Sequence, residues 1–215
     1  MIESDLSKKK IIFFDVDGTL ADTHKIHELA FKQVLIDYQF TKLNYLDYAG
    51  LSTKEVFTKL GFSGKDLVDT VEKKQAKVYE LLKSVKPMPG SSELLEYLVK
   101  CNIRIAAVSS GSRRNVHQSL KTLDFLDKME FVISAEDAEQ SKPHPGPYLE
   151  GISRTKISTE FILAIEDTKE GFLSAQSAGL ETIHVNKTSN NLYPYFPSLI
   201  NLHSILRKIH VKVER

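Results

Sequence analysis

The stretch FFDVDGTLADT, residues 13–23, places two aspartates two positions apart at the end of an apolar run. Asp15 closes the run IIFFD, and Asp17 follows after a single valine. Two carboxylates this close repel one another, and leaving both unpaired at the end of a buried strand would be costly. A divalent cation would relieve the repulsion, and hard oxygen ligands suit Mg²⁺. The residues therefore predict a magnesium site, with Gly18 allowing the sharp turn that follows.

Three more polar groups follow later apolar runs. Residues 109–113 (SSGSR) offer hydroxyls and backbone amides at a helix start, a combination that binds anions. Lys142 lies in the proline-stiffened segment SKPHP, and Glu166 and Asp167 close another apolar run. Ligands of open α/β sheets bind beyond the carboxyl ends of the strands. Because all four groups are expected at such ends, they predict a phosphate site with a metal.

The elements that would position these residues are visible as short apolar runs. Nearly continuous apolar runs are typical of strands buried on both faces of a parallel sheet. From residue 85 onward such runs alternate with helical patterns, which predicts a doubly wound α/β domain with a Rossmann-like core. The five predicted strands are IIFFD (11–15), IRIAAVS (103–109), FVIS (131–134), FILAIED (161–167) and TIHV (182–185).

The segment between the first two strands breaks this alternation. It contains no convincing strand, and its apolar spacing predicts three helices, at 24–38, 52–60 and 64–82. Ser52 and Glu55 have the spacing of a capping box at the start of the second helix. We therefore expect a core formed by residues 1–22 and 85–215, with residues 23–84 inserted as a helical domain. In the tail, a short strand at 199–202 and a helix at 203–209 are expected.

Composition excludes several classes of function. The 215 residues are 41% hydrophobic and 27% charged, and 29 basic residues nearly balance 28 acidic ones, for a net charge of +1. Such a chain has no global field to hold nucleic acid or an anionic membrane. Cys101 is the single cysteine and cannot form an internal disulfide. No stretch approaches the ~20 apolar residues of a membrane span. We expect a cytoplasmic, monomeric enzyme without nucleic-acid or membrane partners.

In their order and placement, the four groups resemble the motifs of the haloacid dehalogenase-like superfamily of phosphotransferases. DVDGTLAD (15–22) matches the first motif, DxDGTxxD, and Ser110 in VSSGS matches the second. Lys142 in SKPHP matches the third, and Glu166-Asp167 matches the fourth. The helical insertion follows the first motif, where this family carries its C1 cap. The segment SKPHPGPYLEG resembles the KPxPxxY segment of the branch that contains β-phosphoglucomutase and phosphoglycolate phosphatase.

The resemblance implies roles for the acidic residues. Asp15 would be the nucleophile that becomes an aspartyl phosphate. Asp17 would be the general acid and base, and its backbone carbonyl would bind Mg²⁺. Asp167 would be a metal ligand, whereas Glu166 would be either a ligand or the partner of one. The implied metal site thus contains Asp15, Asp17, Asp167 and Glu166.

The resemblance also implies how a phosphoryl group would be held. Ser110, the amide of Gly111 and Lys142 would bind its oxygens and offset their charge. Thr19 would maintain the loop near Asp17. Ser109 takes the role of Ser110 if the strand ends one residue earlier than the pattern indicates.

The choice of reaction follows from Asp17 and from the insertion. Dehalogenases of this superfamily lack an aspartate at this position, so Asp17 favours phosphoryl transfer. A mutase needs a second phosphate site in its cap, but residues 24–84 contain no arginine. The expected function is therefore Mg²⁺-dependent hydrolysis of a small phosphorylated metabolite. A phosphosugar mutase, and a receiver-like or non-catalytic phosphate-binding domain, are the alternatives. Roles for Lys54 and His144 are left open.

Overall fold

The protein is described by a computed structural model, which covers residues 8–38, 45–48, 51–185 and 195–213. Six strands form one parallel sheet in the order β5-β4-β1-β6-β7-β8, and β2 and β3 form a short antiparallel ribbon. The five predicted strands are confirmed, as is the α/β class. The strands are β1 Ile11–Phe14, β2 Ala21–Asp22, β3 Lys86–Pro87, β4 Arg104–Val108, β5 Val132–Ile133, β6 Ile162–Glu166, β7 Glu181–Val185 and β8 Tyr195–Phe196.

Helices cover both faces of the sheet. Alternate residues of β1 point to opposite faces, so Ile12 and Phe14 enter one apolar layer while Ile11 and Phe13 enter the other. All four are fully buried, as expected for a strand in the middle of a parallel sheet. The described helices are α1 His24–Leu35, α2 Thr53–Lys59, α3 Gly64–Leu81, α4 Ser91–Lys100, α5 Arg113–Thr122, α6 Gly146–Thr155, α7 Lys169–Ser177 and α8 Leu199–Val213.

The tail differs from the expected strand and helix. A single helix, α8, begins at Leu199 and includes the residues predicted as a strand. Leu199, Leu202 and Leu206 are buried against the sheet layer, and their spacing of three and four residues is that of a helix face. Four apolar or neutral residues in a row were too few to distinguish the two-residue period of a strand from the 3.6-residue period of a helix. Residues 186–194 lie outside the described part of the chain.

The three helices predicted between the first two strands are confirmed as α1, α2 and α3. They share an apolar cluster in which the tilted rings of Phe31 and Phe57 pack with their centroids 5.1 Å apart. The chain leaves the sheet through β2 and returns through β3, where Ala21 pairs with Pro87. The division into a core and a separate inserted domain stays a prediction. Along the described residues, no helix combines the length and apolar character needed to cross a bilayer.

Helix α2 begins with the predicted capping box. The Glu55 amide donates to Ser52 Oγ at 3.3 Å, and the Ser52 amide donates to Glu55 Oε2 at 2.8 Å. Two amide groups that the helix leaves unpaired are thereby satisfied.

We expect Ser52→Ala to lower the free energy of unfolding by about 1 kcal/mol, because the Glu55 amide loses its acceptor. Urea denaturation followed by circular dichroism measures the change. Ser63→Ala is the matched control, since Ser63 precedes α3 without making a side-chain capping bond. Equal losses in the two variants would contradict the capping account.

Candidate active site

Three adjacent strands bring the predicted site residues to one edge of the sheet. Asp15 directly follows β1, Ser109 directly follows β4, and Glu166 is the last residue of β6. Strand β1 lies between β4 and β6, so the sheet continues to one side of β1 through β4 and to the other side through β6. Such a switch point opens a crevice beyond the carboxyl ends of the strands. The four polar groups identified in the sequence meet in this crevice.

Lys142 lies at the centre of the crevice. Its Nζ donates to Asp15 Oδ1 at 2.7 Å, to Glu166 Oε1 at 2.6 Å and to the Val108 carbonyl at 2.7 Å. An ammonium group has three N–H donors, so these bonds satisfy it completely. Burial disfavours its charge, but the carboxylates of Asp15 and Glu166 outweigh burial and raise the pKa of Lys142 above its ordinary value. Lys142 is therefore a permanently charged, fixed cation.

Three buried carboxylates beside Lys142 are suited to a metal ion. One oxygen each of Asp15, Glu166 and Asp167 lies within 4.8 Å of the others. Asp15 Oδ2 and Glu166 Oε2 are buried and have no hydrogen-bond partner among the described residues. Burial raises the pKa of Asp15 well above its usual value, against the opposing charge of Lys142. Because a bound cation would satisfy these oxygens and favour the ionised form, the residues fit a divalent metal.

The side chain of Asp17 has different neighbours from that of Asp15. Its Oδ1 lies 3.4 Å from His27 Nε2, and Ser109 Oγ donates to its Oδ2 at 3.5 Å. Burial tends to raise the pKa of Asp17, but the hydrogen bond and charge of His27 outweigh this and lower the pKa to about 2. Burial lowers the pKa of His27, and the charge of Lys74 lowers it further. Asp17 is thus ionised at neutral pH, with His27 Nε2 within hydrogen-bond distance of its carboxylate.

Lys74 and His27 are functional candidates that the sequence patterns did not identify. Lys74 Nζ lies 2.8 Å from His27 Nδ1, 3.0 Å from Thr53 Oγ1 and 4.6 Å from the centroid of the Phe31 ring. Burial lowers the pKa of Lys74 to about 7. The spacing of this helix contained a clue to Lys74. Thr70, Lys74 and Val78 are four residues apart and form the buried face of α3. A lysine on the buried stripe of a helix is the pattern to search for.

The end of β4 bears on the choice between the two serines. The strand ends at Val108, one residue earlier than the sequence pattern indicated, which is the condition under which Ser109 takes the second-motif position. Ser110 Oγ is also buried and has no partner within the described chain. The Gly111 amide, which the resemblance assigns to phosphate binding, donates to Ser109 Oγ at 3.0 Å. Both hydroxyls line the crevice.

A small cavity of about 80 Å³ lies between the crevice and the helices α1, α2 and α3. Thr19, also predicted, donates to Asp167 Oδ1 at 3.4 Å beneath it. Lys54 and His144, whose roles the sequence analysis left open, do not line this cavity. Both are exposed and line an outer groove. Side chains from the helices and from the sheet edge both contribute to the cavity, including Phe31, Thr53, Lys74 and Gln75 from the helices and Asp15, Asp17, Ser110 and Lys142 from the sheet edge.

Comparison with known proteins agrees with this geometry. The family model described as haloacid dehalogenase-like hydrolase matches residues 12–185, which include every motif discussed above. The chain belongs to the haloacid dehalogenase-like hydrolase family. The resemblance noted in the sequence is therefore confirmed, and the chain is an enzyme of this family.

Relatives within the haloacid dehalogenase-like family differ in activity. The chain is 28% identical over 180 residues to a phosphorylated carbohydrates phosphatase of Thermotoga maritima, covering 80% of this chain and 83% of the relative. It is also 28% identical over 191 residues to β-phosphoglucomutase of Bacillus subtilis, covering 83% and 84%. The crystal structure of β-phosphoglucomutase from Clostridium difficile has a TM-score of 0.82 at 22% identity, covering 96% and 100%, which shows the shared fold.

Gly18 allows the Asp17 loop to approach Asp167. Its φ is +91°, and a Cβ there would lie 2.3 Å from Asp167 Oδ2. We expect Gly18→Ala to displace Asp167 and to reduce binding of Mn²⁺, used as a probe of the metal site, by at least about tenfold. Titration followed by electron paramagnetic resonance measures the affinity.

Gly61→Ala is the control for this prediction. Gly61 has a similar φ of +94°, but a Cβ there meets nothing within 4 Å. It therefore introduces only the backbone strain, about 1–2 kcal/mol. If the Mn²⁺ affinity of Gly61→Ala fell as much as that of Gly18→Ala, the steric explanation would be overturned.

Proposed function

We propose that the chain is a Mg²⁺-dependent phosphatase that hydrolyses a small phosphorylated metabolite through an aspartyl phosphate on Asp15. The observation that carries the proposal is the unequal environment of the two aspartates. Asp15 is held by Lys142 through Oδ1 and presents a buried oxygen without a partner among the described residues. Asp17, two residues on, contacts His27 and Ser109 instead. In such a pair, one carboxylate can act as the nucleophile while the other transfers protons.

Asp15, Asp167 and the backbone carbonyl of Asp17 would hold the metal. When bound, Mg²⁺ would offset charge on the phosphoryl oxygens and orient the group for in-line attack. Glu166 has Oε1 engaged by Lys142 and by the hydroxyl of Tyr148, which leaves only Oε2 for a metal. Its main role in the proposal is to keep Lys142 in place.

The reaction proceeds in two displacements. A carboxylate oxygen of Asp15 attacks phosphorus, the P–O bond to the leaving group breaks, and Asp17 donates a proton to the departing oxygen. Asp17 then takes a proton from water, whose oxygen attacks the aspartyl phosphate and releases inorganic phosphate with Asp15 restored. Asp17 must first take up a proton from solvent, and the negative charge of the approaching phosphate ester favours this by raising the pKa of Asp17. The fixed charge of Lys142 offsets that of the phosphoryl group, and the hydroxyls of Ser109 and Ser110 bind its oxygens.

Residues 23–84 would act as a cap on the core formed by residues 1–22 and 85–215. The supporting observation is that α1 and α3 supply Phe31, Lys74 and Val78 to the wall of the cavity opposite Asp15. Closing this wall over a substrate would exclude water from the first displacement. Opening it would release the product.

The charge of the cavity favours a single phosphate. Lys142 is already satisfied by Asp15, Glu166 and the Val108 carbonyl, and Lys74 is the other lysine on the wall among the residues the structure describes. A mutase must bind a second phosphate, for which one partly engaged lysine is a poor site. The Thermotoga maritima relative, named for phosphorylated carbohydrates, supports a sugar or similarly small monophosphate. A mutase would instead interconvert sugar phosphates without releasing phosphate. Cytoplasmic location and a monomeric state remain predictions.

We expect Asp15→Asn to reduce phosphate release at least about 1000-fold, because the nucleophile is lost while the fold remains. Release of inorganic phosphate from a panel of sugar and acid monophosphates, with Mg²⁺ or with EDTA, measures this. Circular dichroism checks the fold.

Asp22→Asn is the matched control, since Asp22 belongs to the same motif but is exposed on the ribbon β2–β3. It should retain wild-type activity. Asp15→Asn rates within tenfold of wild type, or a wild-type protein without turnover on the whole panel, would contradict the proposal.

A further inference from the structure

A polar contact joins helix α3 of the insertion to the start of helix α5 of the sheet domain. Gln75 Oε1 accepts a hydrogen bond from Ser112 Oγ at 3.2 Å and another from Asn115 Nδ2. Asn115 Nδ2 also donates to the Gln75 backbone carbonyl at 3.2 Å. Asn115 is buried, so its amide is shielded from water and depends on these bonds.

A second contact lies one turn further along α3. The guanidinium of Arg114 lies over the ring of Tyr79, 3.9 Å from its centroid. Gln75 and Tyr79 are four residues apart and therefore on the same face of α3. That face is seated on residues 112–115, which directly follow the serines and glycine at the end of β4.

Gln75 is also connected to the proton-transfer residue. Its Nε2 donates to Thr53 Oγ1 at 3.3 Å, and the same hydroxyl accepts from Lys74 Nζ at 3.0 Å. Lys74 contacts His27, and His27 contacts Asp17. A continuous series of hydrogen bonds thus runs from α5, through Gln75 and Lys74, to the carboxylate of Asp17.

We propose that Gln75, Ser112 and Asn115 are positioning residues that couple seating of the insertion on α5 to the placement of Asp17 for proton transfer. The inference rests on the proposed phosphatase function. When α3 is seated, Lys74 is held against His27, and His27 orients the carboxylate toward the leaving oxygen. When α3 moves away, Asp17 loses this support, so a phosphoryl group is not cleaved before the site is closed.

The coupling predicts a dependence on the leaving group. An alkyl phosphate needs a proton from Asp17 as its P–O bond breaks, whereas 4-nitrophenyl phosphate, with its stable phenolate, does not. Because kcat/KM reports only steps through the first displacement, it isolates this requirement. We expect Gln75→Leu and Asn115→Ala to lower kcat/KM for an alkyl monophosphate on the order of 10- to 100-fold, and for 4-nitrophenyl phosphate less than about threefold.

Gln118→Leu is the matched control on the same helix. Gln118 bonds to Thr122 within α5, so its replacement should leave kcat/KM for both substrates unchanged. Since Asn115 is buried, thermal unfolding is recorded for each variant, and the partly exposed Gln75 supplies a test that does not depend on the stability of the Asn115 variant.

The outcomes separate the two proposals. Equal losses of kcat/KM on both substrates would mean that the contact supports binding or folding only. Unchanged kcat/KM values would mean that the contact has no role in catalysis. Either result overturns the inference but leaves the proposed phosphatase function intact. Absence of wild-type turnover on both substrates, or an active Asp15→Asn variant, would overturn the proposed function and this inference with it.

Discussion

The ammonium of Lys142 lies between the carboxylates of Asp15 and Glu166, at 2.7 and 2.6 Å, at an edge of the sheet shielded from solvent. Two carboxylates about 4 Å apart repel by roughly 4 kcal/mol at an effective dielectric constant of about 20. At this end of the sheet, one oxygen each of Asp15, Glu166 and Asp167 lies within 4.8 Å of the others, so a positive charge is required there. Lys142 supplies it, and the remaining carboxylate oxygens are left for a metal.

The surroundings of this ion group are built to keep it fixed. Tyr148 is fully buried, and its hydroxyl bonds to Glu166 while its ring packs against Phe13. The helix α7 approaches Glu166 through Gly171, where a Cβ would lie 2.1 Å from Oε2. Only a residue without a side chain permits that approach. The apolar residues of the sheet therefore serve the chemistry indirectly, by holding charged groups at distances they would not keep in water.

Asp15 and Asp17 illustrate how one short loop yields two kinds of carboxylate. The two residues are separated by a single valine, yet one faces Lys142 and the other faces His27. Burial and the neighbouring carboxylates raise the pKa of Asp15 against the charge of Lys142, whereas the hydrogen bond and charge of His27 lower the pKa of Asp17 despite its burial. The partner of Asp17 comes from helix α1, so the segment between β2 and β3 sets the environment of this carboxylate as well as lining the cavity.

The sequence by itself determined the α/β class, the five principal strands, the three inserted helices and the meeting of the four motif groups. These were predictable because strand burial and helix periodicity are local patterns, and because parallel strands place their carboxyl ends at one edge. Only the tertiary structure decided that Lys74, and not Lys54, faces the cavity, and that α8 begins at Leu199. It also decided which oxygens of Asp15 and Glu166 are engaged, since those depend on contacts between residues distant in the chain, 127 positions apart for Lys142 and Asp15 and 24 for Lys142 and Glu166. Local patterns contain no information about such contacts, and packing alone sets them.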